Sequence, residues 1–155
     1  MERMELRTRW SAVVADAPDF ARRVERAFAA GTNKTLATVR ADGSPRISGT
    51  ELEFVDGRIT LGMMPRSVKL ADVLRDPRVA LHSPTLEPTT PGTLDAGDAK
   101  VAGVLVEIPD PANPTGTSFE LDVTEVVLTT VDQPRGLLVI ESWHPGRGYE
   151  KSERE

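Results

Sequence analysis

The patterning of the sequence predicts a mainly β fold: an antiparallel barrel or sandwich of about six or seven strands with two main helices as inserts, in a single domain. Three observations carry this. Short runs of alternating apolar and polar residues, divided by Asp-Gly, Pro and Ser turn signals, recur from residue 35 onward. Only two stretches repeat their apolar residues at a helical period. No internal repeat and no linker divides the 155 residues, a length that suits one domain.

Residues 1–18 read as an N-terminal arm. A first helix is expected over Asp19–Ala30, with Phe20, Val24, Ala27 and Phe28 on one side, Arg22, Arg23, Glu25 and Arg26 on a solvated side, and Pro18 and Gly31 as start and stop signals. Thr35–Val39 is the first strand, and Ala41-Asp42-Gly43-Ser44 turns it into a second that begins at Pro45. Along that second strand the apolar phase shifts between Ile47 and Leu52/Phe54, next to Gly49, which predicts a bulge or a close backbone approach. Asp56-Gly57 makes the next turn, and Ile59, Leu61 and Met63 alternate with Arg58, Thr60 and Gly62. A second helix over Ser67–Arg75 is expected to bury Val68, Ala71 and Leu74, ending at Asp76-Pro77. Arg78–Ser83 is a strand, and 84–98 a loop rich in Pro, Thr and Gly. The nearly all-apolar Lys100–Ile108 reads as a strand buried on both faces or at a subunit contact. Ser118–Val131 and Gly136–Trp143 complete the strands, and 150–155 reads as a frayed tail.

Composition narrows the functional classes. A net charge of -5 argues against a nucleic-acid partner, whose phosphates need a basic surface. The absence of cysteine excludes disulfides and thiolate metal sites, and fits a reducing cytoplasm. MERMELRTRW lacks the apolar core of a signal peptide, and no apolar run approaches the roughly 20 residues that span a bilayer, so no membrane partner is expected. Two histidines, His82 and His144, leave little material for a zinc site or a Ser-His-Asp triad, and no metal is expected.

The stretch with most chemistry runs from Arg46 to Lys69. Arg66, Ser67 and Lys69 open the second helix, so two cations, a hydroxyl and free backbone N–H groups meet at one helix N-terminus, which is the arrangement that holds a phosphate. Two strands lie just upstream, and Gly62 removes a side chain where a flat ring can rest. Lipid carriage by an up-and-down barrel explains the strands but gives Arg66, Ser67 and Lys69 no role. Acid–base hydrolysis through Glu51 or Glu53 lacks a marked partner carboxylate. His82 reads as a hydrogen-bonded structural histidine, and His144 sits where a strand leaves the sheet.

The succession TLATVRADGSPRIS, RITLGMM and PRSVKLADVLRDPRVAL resembles the pyridoxamine 5′-phosphate oxidase-like, FMN-binding split-barrel family over Thr35–Leu81, and more weakly at Lys100–Gly103 and at Trp143 with Arg147. The resemblance implies an antiparallel split β-barrel, a homodimer with cofactor sites at its interface, and a flavin. It implies that Arg46, Ile47, Ser48, Gly49, Thr50 and Glu51 line the flavin, with Ser48 and Thr50 as hydrogen-bonding candidates near the ring. Leu61 and Gly62 approach its ring and ribityl chain, Arg66, Ser67 and Lys69 hold its phosphate, and Trp143 and Arg147 reach cofactor or substrate, from the same subunit or from its partner. The C-terminal Arg-x-His substrate signature of true pyridoxamine phosphate oxidases does not occur in WHPGRGYEKSERE, which points away from pyridoxine metabolism. FMN is the expected cofactor, with the 8-hydroxy-5-deazaflavin coenzyme F-420 as the alternative. The expected function is a flavin-dependent oxidoreductase that transfers hydride to a small organic substrate, the alternative being a non-catalytic carrier or sensor. No residue stands out as a catalytic acid or base.

Overall fold

The computed structural model describes residues 7–85 and 97–155. Among the described residues three helices, α1 (Trp10–Asp16), α2 (Pro18–Ala29) and α3 (Val68–Arg75), accompany nine strands. These are β1 (Lys34–Val39), β2 (Pro45–Thr50), β3 (Glu53–Val55), β4 (Arg58–Met63), β5 (Arg78–His82), β6 (Gly97–Ile108), β7 (Thr117–Asp132), β8 (Leu137–His144) and β9 (Gly148–Arg154). The chain is mainly β, and every strand pair is antiparallel. Among the described residues no helix is long and apolar enough to cross a membrane.

The strands form one sheet in the order β2-β1-β5-β6-β7-β4-β3, with β8 joined to β7 and β9 to β8. β7 is where the barrel splits. Its first residues pair with β4, from Met63↔Thr117 to Thr60↔Glu120, and its later ones with β8, from Val126↔Trp143 to Asp132↔Leu137. The two ends of the path, β2 and β3, are joined only through Glu51 and Leu52, so the sheet must curl back on itself.

Opposed residues on paired strands share a face, and one such row, Leu36, Leu81, Val101, Val126 and Trp143, is buried throughout. The helix α2 covers it with Phe20, Val24 and Phe28. Phe54 packs between Trp10, 5.0 Å away by ring centroid, and Phe28 at 5.8 Å.

Four expectations change. The arm at 1–18 is structured from Arg7 onward. Thr8 donates its N–H to the Asp122 carboxylate at 2.8 Å and accepts from the Val123 N–H at 2.9 Å. The short helix α1 then buries Trp10 and Val13. The tail at 150–155 is β9, paired with β8 from His144↔Gly148 to Leu138↔Arg154. Such an edge strand is held mainly by its backbone ladder, with Tyr149 on Glu141 and Glu153 on Arg135, so its polar sequence was no obstacle. The phase shift near Gly49 is not a bulge. Even-numbered residues 46–54 all turn inward, and Ile47 is simply exposed on the outer face, at 73%. Finally, β6 is buried on one face only: Ala99, Val101, Gly103 and Leu105 face the core, whereas Ala102, Val104 and Val106 stay half-exposed. The loop expected over 84–98 lies largely outside the described residues.

Because Trp10 is fully buried against Phe54, Trp10→Ala is expected to cost about 3–5 kcal/mol in chemical denaturation. A loss below roughly 1 kcal/mol would return this segment to the status of a dispensable arm.

Candidate functional site

The N-terminus of α3 is built by four consecutive residues. Met64 and Pro65 leave β4, and Arg66 takes a left-handed backbone (φ 66°), which is costly for a residue with a side chain. Ser67 then turns extended as N-cap, its Oγ accepting the Leu70 N–H at 3.3 Å. The N–H groups of Val68 and Lys69, the first two helical residues, have no intrahelical acceptor. Lys69 reaches across to β2 and donates its Nζ to the Gly49 carbonyl at 2.8 Å. Arg66 is exposed and makes no ion pair among the described residues.

What fixes α3 in this place is Asp72, buried at 3% exposure. Its Oδ2 accepts from Arg46 Nε and from Thr38 Oγ1, both at 2.7 Å, and its Oδ1 accepts from Arg75 Nη2 at 3.2 Å. Arg75 also donates to the Val39 carbonyl at 2.6 Å. The Arg46 hydrogen bond, seconded by that of Thr38, lowers the Asp72 pKa to about 2. Arg46 uses only Nε for this, and its two Nη groups have no partner among the described residues. This network reverses the expected orientation of the helix. Leu70, Asp72 and Val73 are buried, while Val68 and Leu74, expected inside, are 58% and 62% exposed. The apolar stripe could be satisfied on either side. Only one side places the carboxylate against Thr38 and Arg46.

Immediately upstream, residues 51–65 line a cleft of about 790 Å³ closed on its other side by residues 108–118. Glu51, Glu53, Thr60 and Gly62 line it from the sheet, and Pro65 carries it to the start of α3. Leu61 points into the core at 4% exposure, so only Gly62 offers open backbone there. That backbone is already approached. The Asn113 Nδ2 lies 3.1 Å from where a Gly62 Cβ would be, within the 109–116 loop.

Of the residues named from sequence, the fold brings Arg46, Gly49, Arg66, Ser67 and Lys69 together through the α3–β2 contact, and Glu51 and Gly62 into the adjoining cleft. The six residues Arg46–Glu51 cannot all line one ligand. Arg46, Ser48 and Thr50 turn inward, and Ile47, Gly49 and Glu51 outward. Thr50 is buried with its hydroxyl on the Glu51 carbonyl. Trp143 is 5% exposed in its own chain's core, and its indole N–H donates to Asp16 at 2.8 Å. That hydrogen bond ties β8 to the last residue of α1. Arg147 is exposed in the β8–β9 turn, away from α3 in sheet order. His82 pairs with Asp98 at 3.4 Å, and His144 with Glu125 at 2.9 Å. Arg23, read as solvated, instead forks onto the buried Glu141 at 2.7 and 2.5 Å. Asp72, Thr38 and Asn113 were missed. An acid inside the apolar stripe between Leu70 and Val73 was the signal for Asp72, whereas nothing in the loop sequence marks Asn113.

Arg66, Lys69 and the first two helical N–H groups thus lie together in the first turn of α3, just after the Pro65 end of the cleft, and their chemistry is that of donors to an anion such as a phosphate monoester. Among the described residues no group of three His, Asp or Glu side chains is placed to hold a metal.

No protein-family model matches the chain, and no curated protein does. Solved structures do. A pyridoxamine 5′-phosphate oxidase-related, FMN-binding protein from Nostoc punctiforme is 14% identical, with a TM-score of 0.64 over 90% of this chain and 96% of that one. PhzG from Burkholderia lata, solved with tetrahydrophenazine-1-carboxylic acid, is 12% identical with a TM-score of 0.61 over 94% and 88%. An F-420 reductase is 18% identical with a TM-score of 0.51 over 64% and 92%. This chain thus shares its fold, a mainly antiparallel β split barrel with helical elements, with these solved proteins.

The low pKa of Asp72 sets a pH dependence. Its carboxylate is ionised more readily folded than unfolded, so its contribution is complete above the ordinary value of 3.8 and vanishes as pH falls through about 2. Asp72→Asn should therefore lower unfolding free energy at neutral pH, and the gap from wild type should close between pH 3.8 and 2. A gap that stays constant with pH in denaturant titrations would contradict this.

Proposed function

We propose that this protein is a flavin-dependent oxidoreductase of the pyridoxamine 5′-phosphate oxidase-like family that binds FMN and works on a small organic substrate in the cytoplasm. The observation that carries it is the α3 N-terminus: Arg66 in a left-handed conformation, Lys69, the Ser67 cap and two orphan N–H groups gathered in one turn, directly after Pro65 at the edge of a cleft of about 790 Å³. The split-barrel neighbours that bind FMN or act with the deazaflavin support the same reading.

When bound, the flavin supplies the hydride chemistry. Arg66, Lys69 and the helix N–H groups hold its phosphate. Asp72 holds α3 and the Arg46 guanidinium against the strand, so the donors are in place before the ligand arrives and little reorganisation is needed. The cleft shelters the ring from water between β3–β4 and the 109–116 loop. The deazaflavin F-420 is the alternative cofactor for the same donors.

The chain acts as a homodimer. Ile47, Met64, Val68 and Leu74 are 73%, 77%, 58% and 62% exposed around the α3–β2 contact, and Ala102, Val104 and Val106 continue an apolar outer face. Such surface favours a second copy over water.

A carrier or sensor is the second reading, favoured by one observation: Trp143, expected at the cofactor or substrate, is buried in its own chain and bonded to Asp16. Turnover of a reduced nicotinamide by the flavin-loaded protein separates the two.

Purified protein should carry the two-banded visible spectrum of a flavin, with FMN identified by mass spectrometry after denaturation. A colourless protein that takes up neither FMN nor the deazaflavin would sink the cofactor reading. Arg66→Ala with Lys69→Ala should weaken FMN binding at least a hundredfold, because charge-assisted hydrogen bonds contribute about 1.5–3 kcal/mol each. Unchanged affinity would place the phosphate elsewhere.

A further inference from the structure

The side chain of Asn113 occupies a place made for it by two glycines on different segments. A Cβ on Gly62 of β4 would lie 3.1 Å from its Nδ2, and one on Gly116 would lie 2.5 Å from its Oδ1 and 2.6 Å from the Met63 carbonyl. No other residue fits at either position without displacing the carboxamide or the backbone beside it.

The orientation of that carboxamide follows from the hydrogen count. Ser118, buried at 7% exposure, has a single hydroxyl proton, and the carboxylate of Asp110 takes it at 3.0 Å. The Ser118 oxygen is left as an acceptor, so the group at 3.1 Å from it must be the Asn113 NH₂ and not its carbonyl. Asp110 is itself fixed, accepting the Ala112 N–H at 3.0 Å. One N–H and the carbonyl oxygen of Asn113 remain uncommitted among the described hydrogen bonds, on a residue that lines the cleft.

A carboxamide with one free donor beside one free acceptor is complementary to a ligand edge with the reverse pair, the C(=O)–NH of a cyclic imide or lactam. The other polar side chains in the cleft do not offer this pair on two neighbouring atoms. Glu51, Glu53 and Asp110 are acceptors, Thr60 and Thr115 carry donor and acceptor on one oxygen, and Arg58 is drawn toward the buried Glu120 at 3.9 Å. Pro65, at the end of the same cleft, adjoins the anion site of Arg66 and Lys69.

We propose that Asn113 is a specificity-determining residue that reads the imide edge of the ring in the cleft, at the opposite end of the ligand from the phosphate. The assignment rests on the flavin reading above and adds to it the group that orients the ring. The serine–aspartate relay makes Asn113 rigid, so the ring meets a preset donor and acceptor.

The test compares FMN with 3-methyl-FMN, whose imide nitrogen carries no proton, by quenching of flavin fluorescence. Wild-type protein should bind the methylated ligand about tenfold or more weakly, the cost of an unpaired buried acceptor. Asn113→Ala should bind both alike, still retaining FMN through Arg66 and Lys69. Asn113→Asp, nearly isosteric, keeps an acceptor for the imide N–H and loses the donor to the ring carbonyl, so it should bind FMN more weakly than wild type yet still prefer it to the methylated ligand, and circular dichroism confirms that each variant is folded. Equal binding of the two ligands by wild type, or undiminished discrimination by Asn113→Ala, overturns the role of Asn113 while leaving the flavin site standing. Failure of wild type to bind either flavin overturns the role together with the flavin reading.

Discussion

The carboxylate of Asp72 is the constraint on which the candidate site depends. An ionised group at 3% exposure survives only if its lost hydration is replaced, and Arg46, Thr38 and Arg75 replace it from β2, β1 and α3 itself. That requirement settles which way α3 rolls, leaving Val68 and Leu74 in water although they would satisfy a core equally well. With α3 so fixed, Lys69 lies against the Gly49 carbonyl, and the first helical turn opens beside the cleft.

The same device recurs around the barrel. Glu120, buried on β7, is matched by Arg9 at 2.8 Å and Arg7 at 3.3 Å from the N-terminal strap. Glu141 on β8 is matched by Arg23 of α2 and also accepts from Tyr149 of β9 at 2.5 Å. Each buried acid docks an element that the sheet does not hold by itself: the strap, α2 and α3. Such pairs add little net stability over apolar packing of the same volume, but each misplaced element would strand a charge, which gives them a role in selecting one arrangement. The α3 site is thus one of three places among the described residues where the fold uses buried charge to locate a helix or strap.

Local chemistry made much of this legible from sequence. The Asp56-Gly57 turn has both residues at positive φ, 50° and 72°, as that pair in a tight hairpin suggests. Ser67 caps α3, and Asp76 before Pro77 turns extended to end it. What was not legible depended on tertiary partners. Ile47 looked like an inward residue out of phase because the outer face was assumed polar. The β9 strand carries no apolar alternation because it sits at an edge. Two apolar stripes on α3 were nearly equal until Asp72 broke the tie, and Asn113 acquires meaning only when Gly62 and Gly116 are brought around it.

The central claim is that the α3 N-terminus recognises the phosphate of a flavin mononucleotide. Its most direct measurement is the ratio of dissociation constants for riboflavin and FMN on the wild-type protein, taken at two salt concentrations. The donors present predict FMN binding at least a hundredfold tighter, with the advantage shrinking as salt rises. Equal affinity for the two, independent of salt, would contradict the account.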